Sequence, residues 1–157
     1  MRHSVVRPVL AAAGLGLLLG VGPATAPGQG KLGKSDSVVK VTATADKPAD
    51  GKQVITVKMV IDKGWHTYPN PAGNENCFPT VVKVEGKKAE DVKIDYPPGK
   101  PTKDNDLGTY FIWEDSAAIK VTVPRADGDP PVKLQVKFQA CNDRSCLPPA
   151  TVELTVP

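Results

Sequence analysis

Long apolar runs are scarce in this sequence. The run from Val9 to Val21 is rich in glycine and shorter than the roughly 20 apolar residues a helix needs to cross a bilayer. It follows Arg2 and Arg7 and precedes the small residues Ala24 and Ala26, so residues 1–26 read as a secretory signal peptide, with no membrane insertion expected after cleavage. The absence of cysteine near the cleavage point argues against a lipid anchor there. A dominant charge is also missing. The chain has 20 basic and 17 acidic residues, and loss of Arg2 and Arg7 leaves 18 against 17. Its lysines are scattered through alternating segments, where they read as solvated strand faces and edge protection, so neither a nucleic acid nor an anionic membrane is expected as a partner. Histidine and cysteine are few: two and three in the chain, with His66 the only histidine after cleavage. There is no Gly-rich phosphate loop, no zincin helix and no Ser-His-Asp order. The 16 prolines leave no room for a long helix after the signal.

What is present is alternation. Val39, Val41, Ala43 and Ala45, then Ile55, Val57, Met59 and Ile61, recur with period two. So do Ile119, Val121 and Val123, then Leu134, Val136 and Phe138, and finally Val152, Leu154 and Val156. Each set describes a half-buried strand. Between them lie KPADGK, PNPAGNEN, YPPGKPTKDND, RADGDPP and NDRSCLPP, rich in residues that fix φ or tolerate φ > 0. Tandem strands joined by such turns predict an all-β fold, an immunoglobulin-like antiparallel β-sandwich of seven to nine strands. About 130 residues remain after the signal, enough for one core and too few for two. Residues 27–36 (PGQGKLGKSD) have no apolar periodicity and read as a flexible leader, so the domain is placed at 37–157. Trp65 and Trp113 read as core or interface aromatics.

Cys141 and Cys146 enclose the wholly polar Asn142, Asp143, Arg144 and Ser145, and Pro148 and Pro149 hold the exit. The pair falls in a loop between two neighbouring strands, and the loop should face solvent. Outside the cytosol such a pair is expected to form a disulfide. In the chain-entropy model a loop of about six residues yields only about 2 kcal/mol, poor for a staple, while an accessible short-loop disulfide is open to attack by a partner's thiolate. The spacing fits both a hairpin staple and a redox pair.

Three stretches, GWHTYPNPAGNENCFPT, IDYPPGKPTKDNDLGTYFIWED and FQACNDRSCLPPATVEL, taken in this order, resemble the N-terminal periplasmic domain of the thiol:disulfide interchange protein DsbD. The resemblance runs from about Ser37 to Val156. It implies an immunoglobulin-like sandwich, periplasmic or secreted, with no cofactor. Its redox pair, matched by Cys141 and Cys146, would accept electrons from a membrane thiol carrier or a thioredoxin-like reductant and pass them to oxidised periplasmic proteins. His66 and Tyr68 match an aromatic pair lining the site, and Asp104 to Leu107 fall where the family has a cap loop. Two departures stand out: the cysteine loop is one residue shorter than in well-known members, and the cap position holds Asp106 or Leu107 instead of an aromatic. Since the sequence at hand includes no membrane carrier or thioredoxin-like domain, the electrons are expected to come from a separate protein.

The side chains expected around the pair are therefore His66, Tyr68, Asp104, Asp106, Leu107, Asp143 and Arg144. Arg144 would favour a thiolate, Asp143 would oppose it, and His66 would accept a proton or act as a pH-sensitive gate. Cys77 is the odd cysteine, expected buried beside Phe78. Two rival readings remain. One is a Cys/His copper or zinc site built from Cys77, Cys141, Cys146 and His66. The other is a non-catalytic interaction sandwich whose hairpin disulfide is structural.

Overall fold

The computed structural model describes residues 33–105 and 108–157. The expected signal peptide and most of the expected leader lie outside these residues, as do Asp106 and Leu107. Among the described residues there are nine strands and no helix longer than a 3-10 turn: β1 (Val39–Ala45), β2 (Lys52–Ile61), β3 (Val81–Val84), β4 (Lys93–Asp95), β5 (Lys100–Asp104), β6 (Gly108–Ile112), β7 (Ser116–Pro124), β8 (Val132–Phe138) and β9 (Ala150–Val156). One sheet has the order β1-β2-β7-β4 and the other β3-β8-β9, while β5 and β6 form a separate two-stranded ribbon. Every strand pairing is antiparallel. The fold is an immunoglobulin-like β-sandwich.

Register turns the alternation into a core. Ile55 faces Val121, Val57 faces Ile119 and Met59 faces Ala117 across β2 and β7, so one face of the sheet is continuous hydrocarbon. The facing layer aligns Val82 with Val136 and Phe138 with Ala150. Ile55, Val57, Met59, Ile119, Val121, Leu134, Val136 and Phe138 are all fully buried. A one-residue slip would turn each of these sets to water, and this fixes the register. The β1–β2 connection is equally determined. Asp50 and Gly51 both have positive φ, and Ala49 and Lys52 exchange backbone hydrogen bonds of 2.8 and 3.0 Å, the geometry of a two-residue hairpin turn.

Trp113 is buried at 4 % exposure. Its indole N–H donates to the Pro97 carbonyl at 3.1 Å, and Tyr96 stacks on it at 6.4 Å between centroids. The Tyr96 hydroxyl accepts the Val82 N–H at 3.0 Å, occupying an outward-facing donor on the edge strand β3.

The leader expected at 27–36 differs in its last residues. Ser35 is fully buried in a 3-10 turn, Ser35–Ser37. Its Oγ accepts the Ala140 N–H at 2.9 Å and donates to the Pro148 carbonyl at 2.9 Å, and its N–H donates to the same carbonyl at 3.0 Å. The ordered domain therefore reaches back across the expected boundary. Ser35 lacked a sequence signal because a small polar residue bonded to backbone leaves no periodic trace. Ser35→Ala strands the buried Ala140 N–H without its acceptor, and an unsatisfied buried donor costs about 1–3 kcal/mol. Urea unfolding of the variant should show a loss of that size.

Candidate functional site

The cysteine loop links β8 to β9, and Cys141 and Cys146 are joined in a disulfide with Cα atoms 4.0 Å apart. Inside it the Asn142 side-chain oxygen accepts the N–H groups of Arg144 and Ser145, both at 2.9 Å, and the Asn142 N–H donates to the Ser145 carbonyl at 2.9 Å. Asparagine serves here because its amide oxygen imitates a backbone acceptor two residues ahead. The Leu147 N–H donates to the Ala140 carbonyl, also at 2.9 Å, and Gln139 Nε2 donates to the Leu147 carbonyl at 3.0 Å. The loop is a tight hairpin facing solvent, as its polar residues indicate: Asp143, Arg144 and Ser145 are exposed.

The two cysteines are unequal. Cys141 is 2 % exposed, whereas Cys146 is exposed. The cause is a second short segment, residues 66–68, laid beside the first. The His66 N–H donates to the Cys141 carbonyl at 2.9 Å, and the Cys141 N–H donates to the His66 carbonyl at 3.0 Å. Thr67 and Trp113 exchange a similar pair at 3.0 and 2.7 Å, and the Tyr68 carbonyl accepts both the N–H and the hydroxyl of Thr80. Segment 66–68 thus ties the cysteine loop to the main core. Beneath it lies a satellite core of Tyr68, Ala72, Cys77, Ile112 and Cys141, with Tyr110 packed against it.

His66, Tyr68, Asp104, Asp143 and Arg144 line one groove of about 430 Å³ together with the disulfide. The structure brings these expected residues together, with Asp104 contributed by the β5–β6 ribbon, whose paired ends are Asp104 and Gly108. Tyr110, absent from the sequence expectation, lines it too. Its ring lies 6.1 Å from that of Tyr68, and Tyr68 meets His66 edge-on at 5.5 Å. A signal was available: Tyr110 stands two residues before Ile112, so on a strand both share one face.

Burial governs the titration of these groups. It pushes the Tyr68 hydroxyl up to about 12, helped by Cys77 and Tyr110. Tyr110 is raised as well, by burial and then by Asp104, Cys77 and Asp143. Both phenols therefore remain donors near neutrality. Burial also raises the Cys77 thiol, keeping it protonated and poorly nucleophilic. Cys77 is 5 % exposed, as expected for it. Cys141 and Cys146 are bonded to each other, and among the described residues no three His, Cys, Asp or Glu side chains form a metal-binding cluster.

An immunoglobulin-like sandwich with a solvent-facing disulfide at the end of two adjacent strands defines the class of protein. Residues 31–157 match the family described as thiol:disulfide interchange protein DsbD, N-terminal, and the chain belongs to that family. It is 36 % identical over 88 residues to the thiol:disulfide interchange protein DsbD of Pectobacterium atrosepticum, a stretch covering 55 % of this chain and 14 % of that protein. The chain thus matches only a small part of that relative's length. Among solved structures, the Neisseria meningitidis DsbD N-terminal domain in the reduced form aligns with a TM-score of 0.55 at 21 % identity, over 79 % of this chain and 88 % of that one. The N-terminal periplasmic domain of ScsB from Proteus mirabilis aligns with a TM-score of 0.60 at 18 % identity, over 75 % and 46 %. The complex between the DsbD N-terminal and PilB N-terminal domains of Neisseria meningitidis aligns at 0.52 and 20 % identity, over 75 % and 80 %. At these identities the structures speak for the fold.

Burial lowers the His66 imidazole from its ordinary value, with Glu114 and Asp143 opposing. The unfolded chain takes up this proton near pH 6.5 and the folded chain only at lower pH. The stability tied to His66 is therefore whole above about pH 6.5 and falls as the pH drops below it. Urea unfolding at about pH 7.5 and pH 5.5 should show a larger loss in the native protein than in His66→Gln.

Proposed function

We propose that this domain is an exported thiol-disulfide exchange module. In this reading it carries electrons through a reversible Cys141–Cys146 disulfide to oxidised extracytoplasmic proteins, as a protein-disulfide reductase component. The observation that carries it is the asymmetry of the pair: one sulfur sits on an exposed residue at the rim of an open groove, and its partner is buried against a satellite core. Its family is described by thiol:disulfide interchange. The expected export signal supports a periplasmic or secreted location, and among the described residues no helix is long and apolar enough to cross a membrane.

In the reducing half-reaction, a thiolate from a membrane carrier or a thioredoxin-like reductant attacks the Cys146 sulfur. A mixed disulfide forms at Cys146, and the electron pair of the broken bond leaves on Cys141 as a thiolate. A second thiol of the donor then resolves the mixed disulfide and leaves both cysteines reduced. In the oxidising half-reaction, Cys146 attacks the substrate's disulfide and Cys141 displaces the reduced substrate, re-forming the bond. His66, kept neutral by burial, accepts the proton when a thiol is consumed, and Arg144 favours the thiolate while Asp143 opposes it. Tyr68, Tyr110 and Asp104 complete the walls. A separate donor is in keeping with a DsbD N-terminal domain that has been solved in complex with a domain of another protein.

A glutathione redox titration should place the pair above about −300 mV, the region below which structural disulfides lie. A pair that stays oxidised throughout, with the domain unfolding when it is finally reduced, would make the bond a staple and sink the reading. Single-cysteine variants test the division of roles. With dithiodipyridine, Cys141→Ser should form a mixed disulfide that maps to Cys146 at least about tenfold faster than Cys146→Ser does at Cys141. Equal rates would remove the asymmetry.

A further inference from the structure

Strands β8 and β9 carry the cysteine loop at one end and a second concavity on their solvent face. It is a trough of about 340 Å³, open to solvent, with Phe78, Pro79 and Val81 among the apolar residues lining it and Lys83 and Lys137 as its charged residues. Register accounts for this composition: Val81 faces Lys137 across β3 and β8, and Lys83 faces Gln135, all on the side opposite the core. Lys137 Nζ stands over the Phe78 ring, 5.1 Å from its centroid, so a positive charge is held against the apolar patch. The neighbouring carboxylates do not line the trough. Glu85 accepts from Gln135 Nε2 at 3.1 Å, and Glu153 stands opposite Gln135 on β9.

The charged side chains that line the trough are opposite in sign to most of those that line the groove at the disulfide. Among the described residues, the redox groove is lined by the carboxylates of Asp104 and Asp143 and the guanidinium of Arg144, whereas the charged groups lining the trough are two ammonium groups. An apolar hollow with a cationic rim complements an anionic chain that presents one apolar side chain. Because it is an open trough on a sheet face, it suits a polypeptide segment better than a small molecule, which binding sites usually enclose over most of its surface. Lys137 precedes Cys141 by four residues, about 13 Å at strand rise. One bound partner can span that distance.

We propose that this trough is an exosite for an acidic segment, with one apolar anchor residue, of the protein that exchanges thiols with Cys146. The identity of the occupant rests on the exchange reading, whereas binding at the trough does not. Two measurements separate them. First, the oxidised protein is titrated with the capped peptide Glu-Glu-Leu-Phe-Glu-Glu and followed by amide shift mapping. Saturable shifts are expected at Val81, Lys83 and Lys137, weakened by salt and reduced at least about tenfold in Lys83→Glu/Lys137→Glu. Equal binding of Lys-Lys-Leu-Phe-Lys-Lys, or saturation by decanoate but not by the acidic peptide, overturns the proposal.

Second, the reduced protein reacts with a peptide whose thiopyridyl cysteine is joined by a flexible linker to the acidic segment. Its apparent second-order rate constant should exceed that of a neutral-tailed peptide by about tenfold, and the gain should vanish in the double lysine variant. Reaction with neutral dithiodipyridine should be the same in both proteins. Normal reaction with dithiodipyridine but no gain from the acidic tail refutes the exosite and leaves the exchange reading intact. Saturable peptide binding in a protein whose reduced pair reacts with neither disulfide refutes the exchange reading, and the assigned occupant with it.

Discussion

The site depends on the two backbone hydrogen bonds exchanged by His66 and Cys141. Each contributes on the order of 1 kcal/mol net, yet together they set where everything else can go. They hold the first cysteine under segment 66–68, against Tyr68, Ala72, Cys77 and Ile112, and fix the His66 and Tyr68 side chains at the wall of the groove. The second cysteine, reached through a tight turn built on Asn142, has no such tie and faces solvent. An unequal pair is what stepwise exchange needs. One sulfur must be met by another protein, and the other must be kept from it until the mixed disulfide has formed.

The satellite core explains features that look unrelated along the chain. Cys77 packs in it as a small apolar side chain, its thiol kept protonated by burial. Tyr68 and Tyr110 have one edge in it and another facing the groove. Gly73, with φ of +82°, lies where an added Cβ would stand 2.6 Å from Phe111, so only glycine lets the 69–74 loop close on β6. The Ala72 carbonyl then accepts the Phe111 N–H at 2.8 Å. In this way the ribbon that brings Asp104 to the groove is anchored beside the main sandwich.

Much of the sandwich was legible because its strands are long, half-buried and alternate with the pleat. Ile55 to Ile61 and Leu134 to Phe138 could not be placed otherwise without exposing hydrocarbon. The short polar strands were not. Among the described residues β5, Lys100–Asp104, pairs only with β6, and without a buried face it has no period to read. Within the site, the cysteine pair announced itself by spacing and Asp143 and Arg144 by lying between the cysteines, while His66, Tyr68 and Asp104 were placed by family resemblance. Tyr110 carries no motif of its own in the sequence, although the pleat puts it on the same face as Ile112. Ser35 was missed for a deeper reason: its role is carried by three hydrogen bonds to backbone, and the sequence around it resembles any polar leader.

Ser35 also ties the chemistry to the order in which the chain is made. Its partners stand 105 and 113 residues later, at Ala140 and Pro148, one on each arm of the cysteine loop. A ribosome delivers Ser35 well before those two residues. The loop therefore acquires its final geometry only once the intervening strands have assembled and both ends of the domain have met. A partly made chain can hold both sulfur atoms without holding the site.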